Sequence, residues 1–491
     1  MGHRRLVVGT LLLFVSAALP AQPRRTTLLE ISPLSDKEML RMIPLFGEEG
    51  RQCVISHVRD RAFVLATPAE ASLLAERFRG VSVVMTDTSA RTLHRRAMYG
   101  PAMKLPPVYH TYDQIVAEGE RLAREYPALI VKRQIGRTTQ EGRPIVAFRI
   151  SSDARTSLDR PRILFTGCHH ADELMGAEIS LALMRQLVEG YGKDSRITEW
   201  LRRGEVFMVP VLNVDGHTVV TSGIDPRWRK NTRDGNRNGV LYEFPEGVDI
   251  NRNYDFNWAH GGSDDPMSER YRGEYPFSES ENRAMRALAD DERFLAAITY
   301  HSQGEVIFYP WEWRGRKAPD DALLTSMARG LAGSIRTMKG DTCYKAEYGA
   351  GTVGQSYPWL YGRYGTFDFV IEVGLGASFF PPEEVPGIIA ANLPGAHVAL
   401  DWMNGPGLSI RVTDASSAKP LEARVWIPSV ETEDVDRRTS HPATGRFWRL
   451  LPAGSYTVVV SRDGYGTVVL KDVRISTEGW TTHEVKLAGL N

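Results

Sequence analysis

The run Arg162-Ile163-Leu164-Phe165-Thr166-Gly167-Cys168-His169-His170-Ala171-Asp172-Glu173 decides how the rest of the chain is read. Its opening, Arg162 to Thr166, has the short apolar character of a buried strand, and a polar cluster follows at once. His170 and Glu173 stand in an HxxE spacing, and His301 closes a later apolar run, Ala296 to His301. Two imidazoles and one carboxylate, with a fourth position left for water, form a known catalytic zinc set. HxxE alone occurs on many helices by chance, so its meaning depends on its surroundings.

Outward from this run, strand patterns recur at Ile130 to Ile135, Pro144 to Ile150, Glu205 to Leu212 and Thr366 to Val373. Helical patterns at Tyr112 to Tyr126, Met175 to Glu189, Glu279 to Ala289, Asp320 to Thr337 and Val385 to Met403 separate several of them. Alternation on this scale predicts one α/β domain over 109–404, its largely buried sheet of mixed direction. Before it, 26–103 reads strand–helix–strand–strand–helix–strand, the order of a small α+β ferredoxin-like unit. A basic, proline-bearing stretch, Arg91 to Pro107, suits a linker or processing site. After Gly405-Pro406-Gly407, six short runs separated by turn residues predict an all-β sandwich over 407–491.

Arg4-Arg5, the apolar run Leu6 to Leu19 and small residues near Ala21 describe a secretory signal over 1–21. The run is short of the roughly 20 apolar residues that span a bilayer, and no later segment is longer and as apolar. The expected product is exported, secreted or periplasmic, with no membrane span. The chain's 491 residues carry 60 basic and 60 acidic side chains, so no basic excess exists to neutralise nucleic-acid phosphates. Three cysteines, Cys53, Cys168 and Cys343, exclude a disulfide-framed scaffold. Asp234 to Gly239 has the first half of a calcium loop, but Pro245 stands at the twelfth position, which leaves a polar surface loop as the better reading.

Five separated motifs give the HxxE its context. They are Gly167 to Glu173, Pro210-Val211-Leu212-Asn213-Val214-Asp215-Gly216, Trp228-Arg229-Lys230-Asn231, Gly247-Val248-Asp249-Ile250-Asn251-Arg252-Asn253-Tyr254, and Tyr300-His301-Ser302, with Glu372 ending a late apolar strand. In this order they resemble the zinc carboxypeptidase family, of the carboxypeptidase A and carboxypeptidase T type, over about 109–403. The resemblance implies an eight-stranded mixed sheet flanked by helices. It further implies one zinc ion on His170, Glu173 and His301, with Asp249 orienting the first histidine. Glu372 would be the general base toward a zinc-activated water, and Arg229 would stabilise the oxyanion. Asn251 and Arg252 would grip the free C-terminal carboxylate of a peptide or protein substrate. Tyr348 is the expected tyrosine that closes over the substrate, with Tyr344 as competitor, and the side-chain pocket falls near Val353 and Gly354.

Each position also has chemical sense of its own. Glu372 lies in Phe369-Val370-Ile371-Glu372-Val373, where a carboxylate is costly to bury without purpose. A guanidinium beside an amide suits a carboxylate fork better than lysine would. His169 lacks the spacing to Glu173 and reads as packed. Asp172 departs from the arginine that many relatives carry there. No acid lies between Gly349 and Gly365, which favours an apolar C-terminal residue. Gly454 to Gly464-Tyr465 resembles the transthyretin-like domain behind regulatory-type carboxypeptidases, and the N-terminal unit is similar in strand order to inhibitory propeptides. A cell-wall peptide amidase and a non-catalytic peptide-binding relative are the alternatives. Oligomeric state is not legible.

Overall fold

The structure, a computed structural model, describes residues 27–85 (apart from 32, 34, 43, 46–53 and 59–60) and 106–490 (apart from 157–158, 236–245, 350–352 and 376–378). The secretory signal, the basic linker and most of the calcium-like loop lie outside the described residues. The chain divides into two compact units, Met1–His94 and Arg95–Asn491.

In the first unit, β1 (Thr27–Ile31), α1 (Asp36–Met42), β2 (Val54–Val58), β3 (Arg61–Ala66), α2 (Pro68–Arg77) and β4 (Val81–Met85) follow the βαββαβ order expected from the sequence. The antiparallel sheet runs β2-β3-β1-β4. Leu29, Ile31, Val64 and Leu74 sit in its small core. Helix α2 starts where Thr67 and Glu70 form a reciprocal capping box and proline occupies the first turn.

The second unit opens with α3 (Tyr112–Glu125), capped by Thr111 and Gln114, with Tyr112, Ile115, Gly119 and Leu122 on its buried face. Such a cap contributes about 1 kcal/mol, and each large buried side chain about 1.5–3 kcal/mol. Then come β5 (Ile130–Arg137), β6 (Pro144–Ile150), β7 (Arg162–Thr166), α4 (Met175–Gly190), α5 (Ser195–Arg203), β8 (Glu205–Val209), α6 (Val214–Thr221), α7 (Ser280–Glu292) and β9 (Ala296–His301). After β10 (Val306–Tyr309) a small hairpin, β11 (Glu312–Trp313) with β12 (Arg316–Lys317), leads to α8 (Asp321–Ser334) and β13 (Lys345–Tyr348). Helix α9 (Ser356–Tyr364), β14 (Phe367–Glu372) and α10 (Val385–Asp401) complete the α/β body.

Its eight-stranded sheet has the order β13-β10-β14-β9-β7-β8-β6-β5. Strands β14, β9, β7 and β8 are mutually parallel, while β6, β5 and β10 enter antiparallel to a neighbour. Strands β7, β8 and β9 are buried at every position, which is why they read as continuous apolar runs. The charged residues that begin β7 and β8, Arg162 and Glu205, are buried together and joined at 2.7 Å.

Three helices went unassigned in the sequence. Helix α5 had a legible signal, since Asp194 caps it and Ile197, Trp200 and Leu201 share its buried face. Helices α6 and α9 had little, being rich in glycine, β-branched and aromatic residues, and both are helical because burial overrides propensity.

The sandwich consists of β15 (Gly407–Asp414), β16 (Arg424–Trp426), β17 (Arg446–Leu450), β18 (Gly454–Ser461), β19 (Val468–Ile475) and β20 (Trp480–Leu487). Its two sheets are ordered β17-β15-β20 and β16-β18-β19. It has its own core, centred on Leu408, Ile410, Val425, Val458 and Val485. Yet Leu450 belongs to the core of the α/β body, with Trp448 and Trp480 packed against it. Among the described residues no helix is long and apolar enough to cross a membrane.

Asp368, the second residue of β14, is fully buried and accepts a bond from the Thr299 hydroxyl at 3.2 Å. Burial pushes its carboxyl up to about 7 from an ordinary 3.8. The unfolded chain therefore ionises this acid first, and the stability held by its protonated form falls as pH rises from about 4 to 7. In Asp368→Asn that loss should vanish, so denaturation midpoints of variant and wild type should diverge through this window and run parallel above it. A difference independent of pH would contradict the assignment.

Candidate metal centre and substrate cleft

Strands β14, β9 and β7 lie side by side and end at one edge of the sheet. The carboxyl ends of parallel strands are where α/β sheets present ligand-binding groups. His301 is the last residue of β9, and Glu372, last in β14, is its direct register partner. His170 and Glu173 sit on the turn between β7 and α4. Backbone bonds from Leu212 to Gly167 and from Asn213 to Cys168 hold that turn against the segment after β8. Cys168 is buried in it and donates its thiol to the Glu173 carbonyl at 3.4 Å, a packing role.

His170 Nδ1 lies 2.8 Å from Glu173 Oε1, His301 Nδ1 lies 2.7 Å from Oε2, and the two Nδ1 atoms are 3.1 Å apart. All three residues are buried. Behind His170, Asp249 Oδ1 stands 3.3 Å from Nε2. A carboxylate there keeps the ring proton on Nε2 and leaves the Nδ1 lone pair facing inward. Two inward-facing imidazole nitrogens and a carboxylate, converging out of water, are a donor set that a divalent cation satisfies.

Asp249 is completely buried and heavily engaged. Its Oδ2 accepts from Arg229 Nε at 3.3 Å and Nη2 at 3.1 Å, and its Oδ1 accepts from the Asn251 amide at 3.0 Å. Burial opposes its charge, but Arg229 and Arg252 hold the carboxyl well below the usual range. Glu372 goes the other way, its carboxyl pushed up by burial and by the charge of Glu173.

Arg229 turns its remaining amine, Nη1, toward Glu173 Oε1 at 3.8 Å. The Asn251 side chain lies between two elements, with Nδ2 at 3.2 Å from His301 Nε2 and Oδ1 accepting from the Ser356 amide at 3.1 Å. Arg252 is 7% exposed, bonds the Asn251 carbonyl at 2.8 Å, and has an Nε without a hydrogen-bond partner. Val353 is buried. Gly354 has φ +75°, donates to Phe256 O at 2.8 Å and accepts from Tyr254 N at 3.0 Å. A side chain at Gly354 would sit 2.5 Å from the Arg252 carbonyl, so glycine is what lets this loop lie on the Asn251–Tyr254 turn.

Tyr348, at the end of β13, donates its hydroxyl to Asp321 at 2.7 Å and accepts from Lys317 at 2.7 Å, so that hydroxyl is not directed to the metal ligands. The Tyr344 hydroxyl accepts from the Gly374 amide at 2.9 Å. His169 is buried against His301, ring centroids 5.5 Å apart, with Nε2 at 2.9 Å from the Tyr254 hydroxyl, a packed residue as its spacing implied. Asp172 has a buried Oδ1 without a hydrogen-bond partner, and burial with the charge of Glu173 pushes its carboxyl up to about 6. Ser356 and Tyr254 had no assigned role in the sequence. The Ser356 contact is made by its backbone and carries no sequence signal.

Residues 115–389 match the family model described as zinc carboxypeptidase, and residues 407–488 the one described as carboxypeptidase regulatory-like domain. Mouse carboxypeptidase A4 is 31% identical over 271 residues, 54% of this chain and 62% of that protein. Human carboxypeptidase B is 30% identical over 275 residues, 54% of this chain and 63% of that protein. The matched region is thus less than two thirds of either relative's length. A carboxypeptidase A from Helicoverpa armigera has a similar crystal structure, with TM-score 0.56 and 19% identity, over 78% of this chain and 98% of that one. Thrombin activatable fibrinolysis inhibitor follows at TM-score 0.55 and 20% identity, over 77% and 98%. At such identities the likeness speaks for the fold.

The contact behind His170 is open to test. Asp249→Asn should lower affinity for a divalent metal by about 10–100-fold, read by competition with a chelator. Unchanged affinity in a folded variant would remove Asp249 from the support of the site.

Proposed function

Because the chain belongs to the zinc carboxypeptidase family, we propose that it is an exported peptidase that hydrolyses the last peptide bond of peptides and proteins. His170, Glu173 and His301 would hold the zinc ion. When bound, zinc supplies a Lewis acid and lowers the pKa of water to about 7.

The observation that carries the reading is Arg252. A buried guanidinium with a donor to spare, beside the Asn251 amide and next to the metal ligands, calls for an anion. A peptide's terminal carboxylate fits that demand, since guanidinium and carboxylate pair in a planar fork. Gripped there, a substrate presents its last peptide bond rather than an internal one to the groups beyond. Arg229 keeps Nη1 available for the negative charge that develops on the carbonyl oxygen of that bond. Glu372 takes a proton from the water that adds to the carbonyl carbon and hands it to the amine as the C–N bond breaks, a task suited to a carboxyl whose affinity for protons burial has raised. The side chain of the departing residue is received near Val353 and Gly354, neither of which carries charge, which favours apolar or aromatic C-terminal residues. Residues 1–21 serve export in this reading.

Two sets of measurements test it. Glu372→Gln should keep fold and zinc content while turnover falls by at least about 10²-fold. Activity close to wild type would remove Glu372 from the mechanism. On matched peptides ending in Phe, Leu, Lys, Arg or Glu, product masses should show stepwise C-terminal loss, fastest from Phe and Leu. Arg252→Ala should weaken all five alike, because the carboxylate is common to them. A tenfold preference for Lys or Arg, about 1.4 kcal/mol, would overturn the pocket assignment, and internal cuts would overturn the carboxypeptidase reading.

A further inference from the structure

Helix α9 touches the cleft at one end and the C-terminal sandwich at the other. At its start, the Ser356 amide donates to Asn251 Oδ1 at 3.1 Å, which fixes which way that amide faces. Along its length, Trp359 packs on Tyr254 at 5.0 Å between ring centroids, and the Tyr254 hydroxyl meets His169. Its far end, about 13 Å away over nine residues, exposes the carbonyls that no helix can satisfy internally.

The sandwich supplies their partners. Arg438 is 2% exposed and donates Nη1 to the Gly362 carbonyl at 3.0 Å, and the Asp436 amide donates to the same oxygen at 2.9 Å. Its guanidinium lies against Gly365, the left-handed residue that ends the helix, and a side chain there would collide with Arg438 Nε. Arg449, equally buried, pairs with Asp320 at 3.0 Å, and Asp320 accepts from the α9 hydroxyl of Tyr361 at 2.6 Å. A cation at a helix C-terminus also opposes the negative end of the helix dipole.

We propose that Arg438 is a positioning residue for substrate binding: from the sandwich it holds the C-terminal end of α9, and α9 holds Asn251 in the orientation that receives the substrate carboxylate. The C-terminal domain is then part of the specificity for free C-termini, as well as a packed appendage. This rests on the carboxypeptidase reading above for what Asn251 binds, but not for what orients it.

The test uses the full chain loaded with zinc. In Arg438→Met, amide exchange at Ser356 to Leu360 should quicken by about tenfold or more. KM for a peptide acid should rise about tenfold with kcat within about twofold, and preference for the acid over the same peptide as its C-terminal amide should shrink. Arg438→Lys, which keeps a cation at the helix end, should restore most of each effect. A loss of stability alone would not alter the acid-to-amide preference of the folded fraction. Unchanged protection at Ser356 together with unchanged preference would overturn the proposal. Should Arg438→Met fail to fold, Gly365→Ala displaces the same guanidinium from the other side, and the same two readouts decide. If the wild type shows no carboxypeptidase turnover, the functional reading fails by itself, while exchange at Ser356 still decides whether Arg438 governs the helix.

Discussion

A single buried carboxylate, Asp249, organises the cleft. With no exposure to solvent, it faces the ring nitrogen of His170, accepts two bonds from Arg229 and one from the Asn251 backbone, and lies 4.0 Å from Arg252. A lone buried anion would be prohibitively costly, and so would two buried guanidinium groups. Together, one carboxylate and two guanidinium groups neutralise one another in part and leave a net positive charge beside His170. Removing one partner would leave the others uncompensated, so His170, Asp249, Arg229 and Arg252 are one electrostatic unit.

The sheet supplies the rigid frame for that unit. His301 and Glu372 are paired across β9 and β14, so the spacing between these two side chains is set by a backbone ladder rather than by a loop. The turn after β7 is tied by backbone bonds to the segment after β8, which fixes His170 and Glu173 against the same edge. On the open side the frame is less direct. Asn251 is held through a helix whose end is satisfied by Arg438, more than 70 residues further along the chain. A domain with its own core thereby enters the energetics of a cleft it does not line.

Much of this was legible in the residues. The runs of β6, β7 and β9 have their observed limits in the sequence, because largely buried strands leave a strong local pattern. The candidate metal set was legible from the HxxE pair together with the motif order that resembles the zinc carboxypeptidase family, and the structure brings His170, Glu173 and His301 together. Helices α6 and α9 were not, since poor helix formers become helical only when neighbours bury them. Tyr348 was chosen by its distance from the base along the chain, and the structure gives its hydroxyl to Asp321 and Lys317.

Local pattern, then, determined the class of fold, and the motif order with its family resemblance pointed to the three residues that could hold a metal. Tertiary structure alone decided which atoms face one another: that Asp249 stands behind His170, that a backbone amide of Ser356 meets Asn251, and that Arg438 of the sandwich reaches the end of α9. Contacts of this kind depend on backbone groups, which every residue carries, and on burial, which creates partners out of charges far apart in the chain. A sequence records side-chain type and spacing, and neither encodes which buried donor will meet which acceptor once the sheet has closed over them.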